Sequence, residues 1–524
     1  MTHEINSALE HALQQCAAEP IHQLGAIQAH GVALVLSSSS EHSIIQASEN
    51  LATLLSVSAD FALNQSLSEV LGETAANQVE LLIVTALQSP TQTAIGVVEL
   101  TNHIMIKLDA HIFFSEGFPV LELCNDSCCA KPEDLTVLLL KNQALLLEGE
   151  DEEHLVDYLQ KTACVVREIM AYDNVMIYRF DENWDGQVIA QSRCEAATDY
   201  LGNHFPASDI PPQARALYTK NLVRVLADIN ASPIGFKPAL NPHTNAPLNL
   251  SSSTLRSLSP IHLSYLRNMG TAATMTISLL QNGKLWGLIA CHHLTPKRIS
   301  VSLQNTAQLI SNMIASKLAM LKWSKKYTLT NKFLHFNVQI VSLLSKLSKS
   351  MYKDFLPELM SLLNASGIII VVDGECFVCG ITPIQSDITN LLAWLNLHIS
   401  EGYIVSNQLS KEFIDSAAYQ DKVSGLLAIS PMGTSQNCIV WLRQEKLQTV
   451  NWAGTYAQGL THIADGQYQL SPRQSFDTWS ETWRGRAEPW SEDEVELAQF
   501  YSEHRTANIM AMSLREKCSL NGSE

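Results

Sequence analysis

Arg256, Ser259 and His262 stand three residues apart in the stretch Leu255-Arg-Ser-Leu-Ser-Pro-Ile-His-Leu-Ser-Tyr-Leu-Arg-Asn-Met-Gly270. A guanidinium, a hydroxyl and an imidazole at that spacing share one face of a helix, and at a helix N-terminus they form a pocket for an anion. Arg224, read on a helix that follows Asp209, supplies a second guanidinium. Two carboxylates or one phosphate suit this arrangement, because the planar Arg fork binds carboxylate through paired hydrogen bonds. Met176, Tyr178, Phe205, Tyr218 and Tyr265 offer an aromatic and apolar lining. Taken singly each has an ordinary place: an aromatic in a core, an arginine in a salt bridge, a histidine such as His262 or His292 satisfied inside the fold. In combination they describe a binding site for an acidic organic ligand. Asp209 and His262 also have the residue types of an acid–base pair.

Cys376-Phe-Val-Cys379 has the spacing of a metal or redox pair. It follows the apolar run Gly367-Ile-Ile-Ile-Val-Val, and no second pair or spaced histidines accompany it, so it reads as strand core and no metal site is expected. The chain holds 11 cysteines, an odd number without a regular framework, as expected of reduced thiols.

The elements that must position the candidate site follow from periodicity and turn chemistry. Gly31–Leu36, Ile104–Ile106 and Phe118–Leu123 read as strands, and His154 to Met170 as a helix. Val175–Phe180 is a strand, while Pro211 to Leu226 reads as helical, with Pro212 suited to a first turn. Pro260–Asn268 is a helix stopped by Gly270, and two strands flank the hairpin dipeptide Asn282-Gly283. Neither proline nor glycine occurs between Pro296 and Pro357, and Leu309, Met313, Ser316, Met320 and Trp323 recur at helical spacing. A helix of about 50 residues would be roughly 75 Å long, too long for one domain, so it should connect two domains or form a dimer seam. Beyond it come strands at Ile368–Val372 and Cys438–Leu442 and a helical stretch near Ile388–Trp394. Asn451–Trp490, with Trp452, Trp479, Trp483 and Trp490, has little periodicity and reads as a protrusion. Ser491-Glu-Asp-Glu494 is a capping box that opens a last helix.

Bulk properties narrow the function. The 524 residues suggest several domains. The net charge of −18, from 34 basic and 52 acidic residues, argues against nucleic acid as a partner. No apolar run approaches the roughly 18–20 residues that span a bilayer, and the N-terminus lacks a secretory pattern, so a cytoplasmic protein away from membranes is expected. No phosphate-binding glycine loop or cluster-ligand set is present for a reductase.

Phe205-Pro-Ala-Ser-Asp-Ile-Pro211, Leu255–Gly270 and Leu285-Trp-Gly-Leu-Ile-Ala-Cys-His-His293 resemble the bilin-binding GAF domain of phytochromes. Cys16-Ala-Ala-Glu-Pro-Ile-His-Gln-Leu-Gly-Ala-Ile-Gln-Ala-His-Gly31 resembles the N-terminal segment and PAS entry strand of bacterial phytochromes. Trp452-Ala-Gly454 and Ser471-Pro-Arg-Gln-Ser-Phe-Asp-Thr-Trp-Ser-Glu481 are similar to the two arms of the PHY tongue. The resemblance covers nearly the whole chain, in the family's order. It implies an α+β fold of three tandem domains (PAS, GAF, PHY) with antiparallel sheets, joined by a long connecting helix. It also implies an N-terminal segment knotted through the GAF domain, with Ile27 at the threaded position. The implied boundaries are residues 1–18 for the N-terminal segment, 19–130 for PAS, 131–325 for GAF and 326–505 for PHY. The tongue falls at about 445–490, and 491–524 is a C-terminal connecting helix.

The resemblance also assigns roles. Cys16 matches the family's N-terminal thiol that carries biliverdin by a thioether to the A ring, and Ser259-Pro-Ile-His262 has no neighbouring cysteine of the kind that relatives with GAF-domain attachment use. The main-chain carbonyl of Asp209 would accept from the pyrrole N–H groups, and His262, with ordered water, would complete that network. Arg224 and Arg256 match the propionate clamps, helped by Tyr218, Ser259, Thr274 and Thr276. His292 matches the residue that contacts the D-ring carbonyl. Tyr178, Phe205 and Tyr265 match the cage of that ring, with Met176, Ile210 and Pro211 beside it. The implied activity is red/far-red photoreception, in which Z/E isomerisation of the D ring refolds the tongue from hairpin to helix. A pairing of Asp209 with Arg473 would give way to one with Ser475, and Trp452, Trp479 and Glu481 belong to the same switch. A homodimer through the long helices is implied. So is an output domain or response regulator, such as a histidine kinase or diguanylate cyclase, cut away or encoded separately, which leaves this chain without enzymatic turnover. Two alternatives stay open: a GAF-type sensor of another acidic small molecule, and a bilin-modifying enzyme. The Phe205–Pro211 and tongue motifs speak against the first, the missing reductant site against the second.

Overall fold

The computed structural model describes residues 17–39, 41–100, 106–125, 155–344, 352–372, 374–399, 402–430, 435–454, 460–462, 468–470 and 475–500. Cys16, Arg473, Ile104, the acidic run before residue 154 and the helix expected beyond residue 500 lie outside them. The chain forms two compact units, Met1–Met320 with Asn451–Trp479, and Leu321–Val450 with Ser480–Glu524.

The first unit begins with an antiparallel sheet of β1 (Ala26–Ile27), β2 (Gly31–Leu36), β3 (Ile44–Ser48), β4 (Thr93–Leu100), β5 (Ile106–Ser115) and β6 (Phe118–Cys124). From β3 its order runs β3-β2-β6-β5-β4. Helix α1 (Glu73–Gln88) lays Ala75, Val79, Ile83 and Ala86, three or four apart, on that core. Residues 26–28 are held on two sides. Ala26 and Ile27 pair with Gly235 and Ile234. On the other side Ile27 bridges Arg256, and the Gln28 amide donates to the Leu255 carbonyl at 2.7 Å.

A second sheet follows: β7 (Asn174–Phe180), β8 (Gly186–Arg193), β9 (Asn203–Phe205), β10 (Val223–Leu226), β12 (Ala273–Gln281) and β13 (Lys284–His293), in the order β10-β12-β13-β7-β8-β9. The intervening β11 (Ile234–Lys237) belongs to the first sheet, between β1 and β3. The helices are α2 (Leu155–Met170), α3 (Pro212–Lys220), α4 (Pro260–Asn268) and α5 (Val301–Leu344). Strand side chains alternate between faces. Odd-numbered Val175, Ile177, Val223, Val225, Met275, Ile277, Ile289 and Cys291 pack with α2 and with Ala307, Ile310, Ile314 and Leu318 of α5. The even-numbered residues of those strands point the other way. At 44 residues α5 is roughly 66 Å long. Most of its expected stripe lies on the outside: Leu309 is 50% exposed, Met320 53% and Trp323 67%, while Met313 packs partly against the core and Ala307, Ile310, Ile314 and Leu318 are the buried set.

The helix expected over Pro211–Leu226 is shorter. It ends at Lys220, Asn221 turns extended, and Arg224 sits on strand β10. The β-branched alternation Val223-Arg-Val225 favours a strand, and pairing with β12 supplies its hydrogen bonds.

In the second unit β14 (Gly367–Val372), β15 (Glu375–Gly380), β16 (Tyr403–Ser406), β17 (Gly425–Ile429) and β18 (Cys438–Arg443) form an antiparallel sheet, β15-β14-β18-β17-β16. Helices α6 (Tyr352–Leu362) and α7 (Gln385–His398) pack on its opposite faces. Cys376 joins the α7 side and Cys379 the α6 side, so the two thiols cannot share an ion. The aperiodic run contains strands: β19 (Gln448–Ala453), β20 (Leu460–His462), β21 (Tyr468–Leu470) and β22 (Thr478–Trp483), with β20 and β21 antiparallel. The capping box is reciprocal: Ser491 N–H donates to Glu494 Oε2 at 2.8 Å and Glu494 N–H to Ser491 Oγ at 3.3 Å.

Candidate ligand pocket

The even face of the second sheet collects most of the expected site. Arg224 is paired with Thr276, Thr276 with Ala290, and Ala290 with Met176, one row across four strands. The next row is Leu226, Thr274, His292 and Asn174. Tyr178 stands opposite Leu288, one pleat along from Met176. These residues, scattered over more than 100 positions of sequence, share a face because register permits no other outcome.

The loop after β9 lies over this face. Phe205 ends the strand, a single 3-10 turn covers Ala207–Asp209, and Pro211 is extended ahead of α3. Asp185 Oδ1 accepts from the Ala207 amide at 2.8 Å, and Arg215 Nη1 donates to the Ile210 carbonyl at 2.7 Å. Arg215 also lies 4.6 Å over the Trp184 ring. Ile210 and Tyr218 pack with Met176, Tyr178 and Phe205, and Tyr218 hydrogen-bonds the Thr276 hydroxyl.

Arg256, Ser259 and His262 do not share one helix face as expected. Pro260 sets the first turn of α4, Ser259 before it is extended (φ −55°, ψ 139°), and Arg256 lies upstream in extended pairing. Ser259 Oγ donates to Glu19 Oε2 at 3.1 Å. His262 and Tyr265, one turn apart on α4, stack at 5.9 Å and 10°. Tyr265 Oη donates to Asp209 Oδ2 at 3.1 Å, so helix and loop are tied at the aspartate.

Arg224 Nη1 donates to the Thr254 carbonyl at 3.2 Å and Nη2 to the carbonyls of Arg256 and Ser257. Arg256 Nη1 donates to the Ile21 carbonyl at 2.9 Å. The Nε–H of each is buried without an acceptor. Among the described residues neither guanidinium has a carboxylate partner. Burial, then the neighbouring Arg256, pushes the Arg224 pKa well down, and burial lowers that of Arg256. Burial, with Arg224 and Arg256 adding to it, lowers His262 to about 4. Burial, then His262, lowers His292 to about 4, with Thr271 Oγ1 3.2 Å from its Nδ1. Both imidazoles are therefore neutral at pH 7. Two adjoining buried cations facing neutral imidazoles call for an anionic partner.

At the other end the lining is aromatic. Tyr178 and Phe205 lie 6.0 Å apart, and Tyr200 meets Phe205 edge-on at 5.7 Å. The tongue residues adjoin it. Asn451 and Trp452 pair in parallel with Asn203 and His204, and Trp452 is only 2% exposed. Phe476 meets the Tyr265 ring edge-on at 5.1 Å. Ser475 Oγ donates to Asp477 Oδ2 at 2.8 Å, while Trp479 and Glu481 are exposed. Sequence reading missed Tyr200, Arg215, Thr271 and Phe476. The nearest available signal was position: Arg215 one turn into α3, and Phe476 inside the tongue motif.

Three family models match, in order along the chain: PAS fold over residues 16–124, GAF domain over 154–318 and Phytochrome region over 339–513. The chain is 36% identical over 498 residues to Cyanobacterial phytochrome B of Nostoc sp., covering 93% of this chain and 65% of that protein. It is 31% identical over 503 residues to a Bacteriophytochrome of Xanthomonas campestris pv. campestris, covering 93% of this chain and 77% of that one. The crystal structure of a bacteriophytochrome from the photosynthetic bacterium R. palustris superposes with a TM-score of 0.83 at 30% identity, covering 94% of this chain and 98% of that one. The Stigmatella aurantiaca phytochrome photosensory core module gives 0.81 at 32%, covering 95% and 98%. The chain thus spans about two thirds of the length of its cyanobacterial relatives.

Proposed function

The chain belongs to the phytochrome photoreceptors, as a bacterial PAS–GAF–PHY photosensory module, and on that premise we propose that it senses red and far-red light with biliverdin, attached through a thioether to Cys16. The observation that carries the reading is the pair Arg224 and Arg256, buried beside one another with unsatisfied Nε–H groups, Arg224 on the same sheet face as Met176 and Tyr178. A planar unsaturated body bearing two carboxylates fits both ends. A lone phosphate leaves the aromatic end unexplained.

When bound, biliverdin supplies the light absorption and the Z/E isomerisation of its D ring. The protein holds and biases it. Arg224 and Arg256, with Tyr218, Ser259, Thr274 and Thr276, fix the propionates. The Asp209 carbonyl would accept from the pyrrole N–H groups, His262 would complete that network with ordered water, and His292 would contact the D-ring carbonyl. Tyr178, Phe205, Tyr265, Met176, Ile210 and Pro211 shape the space around that ring. Asp209 also touches the switch: its carboxylate, tied to Tyr265, exchanges Arg473 for Ser475 as the tongue changes from hairpin to helix. Trp452, Trp479 and Glu481 exchange surroundings in the same change. Such a switch needs only that the two ligand forms favour the two tongue folds unequally.

Ile27, held between residues 234 and 256, supports the threaded N-terminus. The exposed Leu309, Met320, Trp323 and Tyr327 support a homodimer through α5. The signal passes to an output module such as a histidine kinase or diguanylate cyclase in the cytoplasm. Among the described residues no helix is long and apolar enough to cross a membrane.

Biliverdin added to the purified protein should give a sharpened red band that changes reversibly under red and far-red light. A spectrum equal to that of the pigment in buffer overturns the proposal.

A further inference from the structure

Glu122 lies on β6, in the first sheet, away from the lining of the ligand pocket. It is 1% exposed, and its carboxylate is surrounded by donors. The Thr254 amide and hydroxyl donate at 2.9 and 2.7 Å, the Leu255 amide at 3.3 Å, and Ser253 Oγ donates as well. His111 Nδ1 is 3.0 Å away. Burial raises the carboxyl pKa, but the bonds from His111, Ser253 and Thr254 outweigh it and hold Glu122 below the usual value. It is ionised.

The donor side of residues 253–255 is thus gathered by Glu122. The acceptor side of the same segment holds Arg224, through the carbonyls of Thr254, Arg256 and Ser257. Arg256 springs from its middle. One strip of backbone therefore lies between a buried carboxylate and a buried guanidinium, and both cations of the site depend on where it sits. A displacement of about 1 Å is enough to spoil paired hydrogen bonding.

We propose that Glu122 is a positioning residue for ligand carboxylates: by fixing residues 253–257 it sets the guanidiniums of Arg224 and Arg256 at the separation that two propionates require. This rests on the pigment reading above. A purely structural Glu122 would weaken binding of any pigment alike. A positioning Glu122 governs how well carboxylates are told from their esters.

The experiment compares dissociation constants for biliverdin and biliverdin dimethyl ester, in a Cys16→Ser background so that attachment does not pull the equilibrium. The unaltered site should prefer the free acid by roughly tenfold or more, since hydrogen bonds to charged groups are the strong ones. Glu122→Gln should cut that preference to about threefold or less. Glu80→Gln, at a half-exposed glutamate paired with His42 in the same domain, should leave it unchanged. A Glu122→Gln protein that binds both compounds more weakly but keeps the full preference overturns the inference. Should Glu122→Gln not fold, Thr254→Val removes the 2.7 Å hydroxyl bond alone, and an undiminished preference there overturns it equally. Melting of the ligand-free proteins reports stability separately. A protein with Glu122 intact that binds neither compound refutes the pigment reading instead.

Discussion

Gly186 lies directly beneath the ring of Tyr178: a methyl group on its α-carbon would come within 1.8 Å of the ring carbon that bears the hydroxyl. The ring's place over β8 thus depends on a missing side chain on that strand. Tyr178 in turn reaches Phe205, whose carbonyl accepts from its hydroxyl at 3.4 Å.

Gly186→Ala should therefore displace Tyr178 rather than simply crowd the core. Overpacking of this kind costs about 1–3 kcal/mol, so the protein should still fold. Pigment binding at the Arg224 end should persist, while the extent of photoconversion changes. Absorption spectra after saturating red light check this, and a spectrum and yield equal to the parent's would refute it.

Tyr265→Phe removes the 3.1 Å bond to Asp209 but leaves the ring stacked on His262 and against Phe476. Assembly should be nearly unaffected. Formation of the photoproduct or its dark decay should change severalfold, because the aspartate gains freedom to choose another partner. Time-resolved absorption after a flash is the measurement.

Three imidazoles are held neutral in the ligand-free protein. Burial, as the largest cause, lowers His30, His262 and His292 from 6.5 to about 4. Depressed folded-state values mean that protons bind the unfolded chain first. Stability is full above about pH 6.5 and falls as the pH drops toward 4. From pH 7.5 to 5 the loss is roughly 2 kcal/mol for each such imidazole. His262→Gln should make the decline shallower by about that amount, as read by denaturant unfolding at the two pH values.

Cys16→Ser should still bind biliverdin, yet lose the zinc-fluorescent adduct on a denaturing gel. An adduct that survives the substitution moves the attachment to another residue.

Much of this architecture is written locally. Ser259-Pro260 and Gly270 bracket α4, and Asn282-Gly283, both at positive φ, make the hairpin between β12 and β13. The absence of proline and glycine between Pro296 and Pro357 is legible as α5. What local pattern could not decide was partnership. α5 carries apolar residues on two stripes, and only the sheet determines that Ile310, Ile314 and Leu318 are the buried set. Arg224 is a strand residue because Thr276, 52 positions later, is there to pair with it. Glu122 looked like one more strand residue, since its donors at Ser253, Thr254 and Leu255 lie more than 130 positions away. The proposed ligand rests on family resemblance, because an arginine pair with aromatics specifies a chemical class and nothing narrower.

The alternation along β7, β10, β12 and β13 has a practical corollary. Substitutions at even-numbered sites should alter the pocket face without disturbing the helix-covered core, so the sheet has two nearly independent sets of adjustable positions. Insertion or deletion of a single residue within any of these strands exchanges the two sets at once. Variation within these strands is therefore confined to replacement, and changes of length fall to the loops.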